Sequence, residues 1–141
     1  NVHLLDLSDT EITDVSGLGN VHTLKLSETK ITDVSMLGNV HTLDLDYCKN
    51  ITDVSMLGNV HTLDLGCTNV TDVSMLGHVH TLCLYCCSFV ADVSSLGHVH
   101  TLDLSWCKNI TDVSMLGNVH TLDLSWCKNI KTFSLKMYIK N

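Results

Sequence analysis

The sequence has no proline and no arginine; all eight of its basic residues are lysine. Aromatic residues fill only 5% of its 141 positions, and the formal charge is −7. An acidic chain without arginine is a poor match for nucleic acid, because phosphate binding wants clustered Lys and Arg. The same charge disfavours an anionic membrane surface. No apolar run approaches the roughly 18–20 residues that span a bilayer. No signal peptide is visible, but the chain starts inside a repeat and without methionine, so its first residue is not taken as a true N-terminus. An even cysteine count is also lacking. The seven cysteines follow the repeat rather than a disulfide framework. They are read as reduced, which favours an intracellular, cytoplasmic setting over secretion. Asn50-Ile51-Thr52, Asn69-Val70-Thr71 and Asn109-Ile110-Thr111 fit the glycosylation pattern, yet they read more simply as turn asparagines before a repeated Ile-Thr or Val-Thr.

What the chain has is repetition. Val2, Val21, Val40, Val60, Val79, Val99 and Val119 open seven copies spaced 19 or 20 residues apart. A period near twenty denotes a stacked array in which no copy buries its own apolar residues. Hydrophobic content of 45% suffices for such a core. Numbering each copy from its valine, positions 1, 4 and 6 are apolar throughout, and positions 4 and 6 alternate with polar residues as in a half-buried strand. Position 9 is threonine in three copies (Thr10, Thr29, Thr68) and cysteine in four (Cys48, Cys87, Cys107, Cys127). The cysteine copies take one more residue to reach the next apolar position, which accounts for the 20-residue steps.

The segment L-x-x-L-x-L-x-x-(T/C)-x-(x)-(I/V), repeated seven times over residues 2–130, resembles the conserved part of leucine-rich repeats. The following Ile-Thr-Asp-Val-Ser-x-Leu-Gly resembles the internalin-like class, in which apolar residues recur every third position. The resemblance implies an α/β solenoid tending to β: a right-handed superhelix with a parallel concave sheet of about seven strands and a convex side of short 3₁₀ turns. Residues 1–130 form the array. Residues 131–141, KTFSLKMYIKN, break the motif and are expected to cap its last copy. Nothing comparable precedes Val2, so Leu5, Leu7, Ile12 and Val15 are expected at an open edge, where self-association is a reasonable hypothesis.

Several recurrent residues have structural explanations. Asp14, Asp33, Asp53, Asp72, Asp92 and Asp112 are placed to cap turns through free N–H groups. Gly19, Gly38, Gly58, Gly77, Gly97 and Gly117 stand where a turn is expected to need positive φ. The position-9 residues should line a buried spine whose side chains bond backbone in the adjacent loop, as the family's asparagine ladder does.

Recognition is then left to the residues between and after the strand leucines. Position 5 carries Asp44, Asp64, Asp103 and Asp123, neighbours whose like charges oppose folding unless solvated or used on a cation. Position 8 carries Tyr47, Trp106 and Trp126, with Tyr85 one position away. Exposed aromatics flanked by acids suggest interface anchors, although stacking between copies also explains them. Asp103, Ser105 and Trp106 are the residues of their copy expected to be free for recognition. Cys67 and Cys86 share the position-8 column, close enough to oxidise, and are read as free.

Position 2 is histidine in every copy, from His3 to His120. Such a ladder would charge below about pH 6.5. It spreads donors along a line instead of converging them, so no metal site is expected; His78 with His80 and His98 with His100 are the only local pairs worth testing. Cys83, Cys86, Asp64 and His80 lack an oxyanion hole and a closed pocket, so no enzyme and no cofactor are expected. The leading expectation is a protein-interaction module that takes a protein or peptide with a basic segment on its concave face. The alternatives are a spacer array without a single ligand, and a histidine surface responsive to metal or pH.

Overall fold

The structure, a computed structural model, describes residues 2–131. The proposed cap lies outside them, apart from Lys131. Each copy contributes one three-residue strand: β1 (Leu4–Asp6), β2 (Thr23–Lys25), β3 (Thr42–Asp44), β4 (Thr62–Asp64), β5 (Thr81–Cys83), β6 (Thr101–Asp103) and β7 (Thr121–Asp123). They form one parallel sheet in sequence order, with equivalent positions of neighbouring copies directly paired. The strands are short because the alternation that specifies them lasts only from position 3 to position 7. The convex side is built from 3₁₀ turns at Ser35–Leu37, Ser55–Leu57, Ser74–Leu76, Ser94–His98 and Ser114–Leu116. Their i, i+3 eclipsing matches the three-residue apolar spacing.

The core is a set of columns. Leu24, Leu43, Leu63, Leu82 and Leu102 stack under the sheet, and Val34, Val54, Val73, Val93 and Val113 stack under the convex turns, all buried. Each fully buried leucine contributes about 2 kcal/mol. The end copy differs: Leu5, Leu7, Ile12 and Leu18 are only partly covered, while Val15 is buried beneath the second copy. Of the four residues expected at that edge, Leu5, Leu7 and Ile12 are half-covered, and the expectation fails for Val15, which is buried.

The spine shows why two copy lengths coexist. Cys48, Cys87, Cys107 and Cys127 donate their thiols across the stack, to Leu26 O, Leu65 O, Leu84 O and Leu104 O at 2.9–3.0 Å. The threonines behave otherwise. Thr10, Thr29 and Thr68 donate to the carbonyl three residues back in their own copy, because the shorter hydroxyl arm reaches that oxygen first. The extra residue of the cysteine copies is absorbed by a second tight turn, at Lys49–Asn50, Ser88–Phe89, Lys108–Asn109 and Lys128–Asn129.

The glycine expectation fails. No described glycine has positive φ; Gly38, Gly58, Gly77 and Gly117 lie near φ −61° in the right-handed region. The reason for glycine is contact. A Cβ on Gly58 or Gly77 would stand 2.5 Å from the carbonyl oxygen of Met75 or Ser95 in the next copy. Backbone cannot yield as a side chain would, so the convex turns pack closely only where no Cβ intervenes.

Candidate functional site

The aspartates at the two ends of each copy do the same local job. On the convex side Asp14, Asp33, Asp53, Asp72, Asp92 and Asp112 accept the N–H two residues on, from the serine that opens the turn, at 2.9 Å. This bears out their capping role, in the form of an Asx turn. At the end of the strand, Asp6, Asp44, Asp64, Asp103 and Asp123 also accept the N–H two residues on, at 2.7–3.1 Å. The acidic strand row thus bends the chain out of the sheet, a purpose that its spacing did not reveal.

The bend has a consequence at position 8. Asp9, Glu28, Tyr47, Cys67, Cys86, Trp106 and Trp126 all have φ between 54° and 64°. This left-handed region costs an L-residue with a side chain roughly 1–2 kcal/mol, and glycine or asparagine is its usual occupant. None of the seven is either. Their N–H groups keep the ladder going, each of the first six donating to the position-7 carbonyl of the next copy at 2.7–2.9 Å. Position 8 is therefore a rim, three residues past the end of the strand.

The candidate recognition residues fall into two groups along the sheet and this rim. Toward the C-terminal end, Trp106 and Trp126 stack with ring centres 5.0 Å apart and planes 21° from parallel, yet remain 39% and 58% exposed. Lys128 Nζ lies 5.6 Å from the Trp126 ring centre. Asp103 and Asp123 are paired rungs beneath them. Ser105 is not free as expected: it is buried, and its N–H and hydroxyl both donate to Asp103 Oδ1. Tyr85, at the same position one copy earlier, is 38% exposed.

In the middle of the array, Asp44 and Asp64 are paired rungs with Asp46 beside them. Burial, reinforced by repulsion from Asp64 and Asp44, pushes the Asp46 carboxyl up to about 6. Asp64 is also raised, chiefly by burial. Room for Asp46 comes from Gly66, where an added Cβ would meet Asp46 Oδ1 at 2.6 Å. Tyr47 stands on the rim of this patch, 45% exposed, with Lys49 Nζ 5.8 Å from its ring centre. The acids and aromatics proposed from sequence thus share one continuous surface, but in two clusters.

Between Tyr47 and Trp106 the rim carries only the thiols of Cys67 and Cys86. The gap is a notch of 260 Å³ bordered by Tyr47, Lys49, Asn69, Ser88 and Phe89. Cys83, on the strand between Asp64 and Asp103, has its thiol pushed strongly up by burial and by those carboxylates. Cys83 and His80 do not assemble with Cys86, since His80 lies at the opposite end of the strand.

The histidines form a stack that runs the length of the array. Seven imidazoles from His3 to His120 lie face to face with ring centres 4.4–4.7 Å apart. In five of them Nδ1 approaches the next threonine hydroxyl at 3.3 Å. Burial, followed by the two neighbouring rings, lowers the pKa of His22 and His61. Among the described residues no group of three or more His, Cys, Asp or Glu could hold a metal ion.

Comparisons agree with this architecture. A family model described as leucine-rich repeat matches residues 98–116. An internalin of Listeria monocytogenes superposes with a TM-score of 0.73 at 25% identity, covering 86% of this chain and 40% of its own. Internalin C2 of the same organism superposes with a TM-score of 0.70 at 27% identity, covering 92% and 64%. The chain thus spans less than two thirds of either protein. No curated protein matches it.

Proposed function

We propose that this chain, a leucine-rich-repeat array similar to the internalins, binds a protein or peptide with a basic segment across its concave face and rim, as arrays of that kind generally act as protein-interaction modules. The contact residues are Trp106, Trp126, Tyr47 and Tyr85 as anchors, with Asp44, Asp64, Asp103 and Asp123 as the charged row. The observation that carries this reading is the left-handed rim. All seven rim positions would relax as glycine or asparagine, and instead they hold Asp, Glu, Tyr, Cys and Trp side chains at a backbone cost. Large aromatics held rigidly and half exposed lose little entropy on binding and are enriched among interface hot spots. Each row aspartate uses Oδ1 for its own turn, and its carboxylate supplies the negative charge that a lysine or arginine of the partner would meet. The free cysteines fit a reducing compartment, so the partner is sought first among intracellular proteins.

The test is Trp106→Ala with Trp126→Ala in the intact chain. The expected outcome is loss of partners captured by the unmodified chain, with an unchanged far-UV spectrum. A double variant that melts earlier yet keeps the same partners would assign the tryptophans to stacking alone. Binding should also weaken steeply between low and moderate salt, as steering by a charged face requires.

A further inference from the structure

The notch between Tyr47 and Trp106 has a chemistry that protein binding does not use. Cys67 and Cys86 occupy the same position of adjacent copies, with φ of 54° and 58°, so their Cα–Cβ bonds run parallel. The backbone ladder fixes both: Cys67 N–H donates to Tyr85 O at 2.7 Å and Cys86 N–H to Ser105 O at 2.9 Å. Both thiols are free, half-buried, and open into the same notch. Equivalent side chains on neighbouring copies ride one rung apart, as the histidine ring centres at 4.6 Å record.

The two thiols stand one rung apart on the same notch, so a soft cation held by two thiolates would bridge them. We propose that Cys67 and Cys86 form a two-coordinate thiolate site for a soft monovalent cation of the Cu(I) class. Zinc is disfavoured, because it needs about four converging ligands and the other residues of the notch (Tyr47, Lys49, Thr68, Asn69, Ser88, Phe89) offer no imidazole, carboxylate or third thiol. Cys87 does not serve, since its thiol is buried and donates to Leu65 O. Thiolates are soft ligands of the kind that Cu(I) favours. Binding breaks two S–H bonds, forms two S–Cu bonds and releases two protons to water, with no change of oxidation state. The product carries one negative charge, and the Lys49 ammonium at the notch is placed to balance it.

The reduced full chain is titrated with Cu(I) under argon against a chromophoric Cu(I) chelator. The expected result is one Cu(I) per chain, with affinity that rises with pH, because thiolate ligands must lose their protons. Cys67→Ser or Cys86→Ser should each weaken binding at least about a hundredfold, since one thiolate cannot chelate. Cys127→Ser, a half-buried thiol elsewhere, should leave it unchanged. X-ray absorption on the unmodified chain should show two sulfur neighbours and no nitrogen, a readout that stands even where a variant misfolds. Equal uptake by the Cys67→Ser/Cys86→Ser double variant, a pH-independent affinity, or nitrogen in the coordination shell would overturn the site.

Discussion

Four of the seven copies make the same Asx turn twice, once at the strand end and once on the convex side, and the two turns have diverged in opposite ways. On the convex side, Asp-Val-Ser leads into a relaxed 3₁₀ turn, and the glycine that follows is required because backbone of the next copy occupies the space of a Cβ. Five of the six copies carrying the Asp-Val-Ser motif keep Thr-Asp-Val-Ser, and all six keep Leu-Gly. At the strand end, the aspartate leads into a left-handed residue, and there the copies differ most. The difference teaches where the array has latitude. A steric demand from neighbouring backbone admits one residue type. A conformational cost of about 1 kcal/mol admits any side chain whose use repays it. Variation on the rim is therefore freedom that the fold leaves open.

The sharpest way to break this comparison uses one glycine from each side. Gly58→Ala sets a Cβ 2.5 Å from Met75 O, a backbone atom that cannot move without shifting the next copy. We expect a loss of about 3 kcal/mol, read as a fall in the denaturation midpoint. Gly66→Ala meets the Asp46 carboxylate at a similar distance, but that side chain can swing into solvent. Its cost should be below about 1 kcal/mol. Equal losses would mean that the strand side is as tightly constrained as the convex side.

Next in size is the histidine stack, which runs beside the strands and shares the repeat's uniformity. Burial and the neighbouring rings hold the folded pKa values of His22 and His61 below the ordinary histidine value of 6.5. The folded state therefore binds fewer protons than the unfolded chain, and stability should fall as pH drops through and below about 6.5. Replacing His22 and His61 together by Asn should flatten that fall in urea melts taken between pH 7.5 and 5. An unchanged slope would show that the stack plays no part.

Much of this was legible because periodicity is a statement about burial. The recurrence of Leu43, Leu63, Leu82 and Leu102 fixed the strands, their register and the core before any coordinates. The spine cysteines were legible for the same reason. The sign of φ at position 8 was not, because Trp106, Cys67 and Glu28 carry no preference for the left-handed region. Gly58 misled for the converse reason: glycine serves both positive φ and close approach, and sequence does not separate them. Ser105 looked free by alternation, but its hydroxyl closes on Asp103, a bond between neighbours that a count of faces does not register. The site was thus legible as a set of candidate residues, and its division into an aromatic rim and a compressed acidic patch was not.

A smaller prediction compares rim residues with themselves. If the left-handed cost at Trp126 is real, Trp126→Gly should be more stable than Trp126→Ala by about 1 kcal/mol, although both lose the same stacked ring. The same pair at Met56, an exposed convex residue outside the left-handed column, should reverse in order, since there glycine only adds freedom to the unfolded chain. Thermal melts of the four variants decide it, and a common order at both sites would remove the backbone argument for a functional rim.

The smallest expected effect isolates the acidic patch. Asp46 titrates near 6 in the fold against 3.8 as its reference. A raised carboxyl stabilises the fold fully only below the unfolded value and loses that contribution as pH rises through about 6. This runs opposite to the histidine stack, so the two partly cancel in the wild-type profile. Asp46→Asn keeps the shape beside Gly66 and removes the charge. It should stabilise the chain at pH 7.5 by under about 1 kcal/mol, after allowance for solvent at this partly exposed group. At pH 3.5, where Asp46 is largely protonated, the gain should vanish. A partner that places a lysine or arginine against this patch would restore the charged form, so its binding should release a fraction of a proton near pH 6. That release should disappear with Asp46→Asn, which calorimetry in two buffers of different ionisation heat would show.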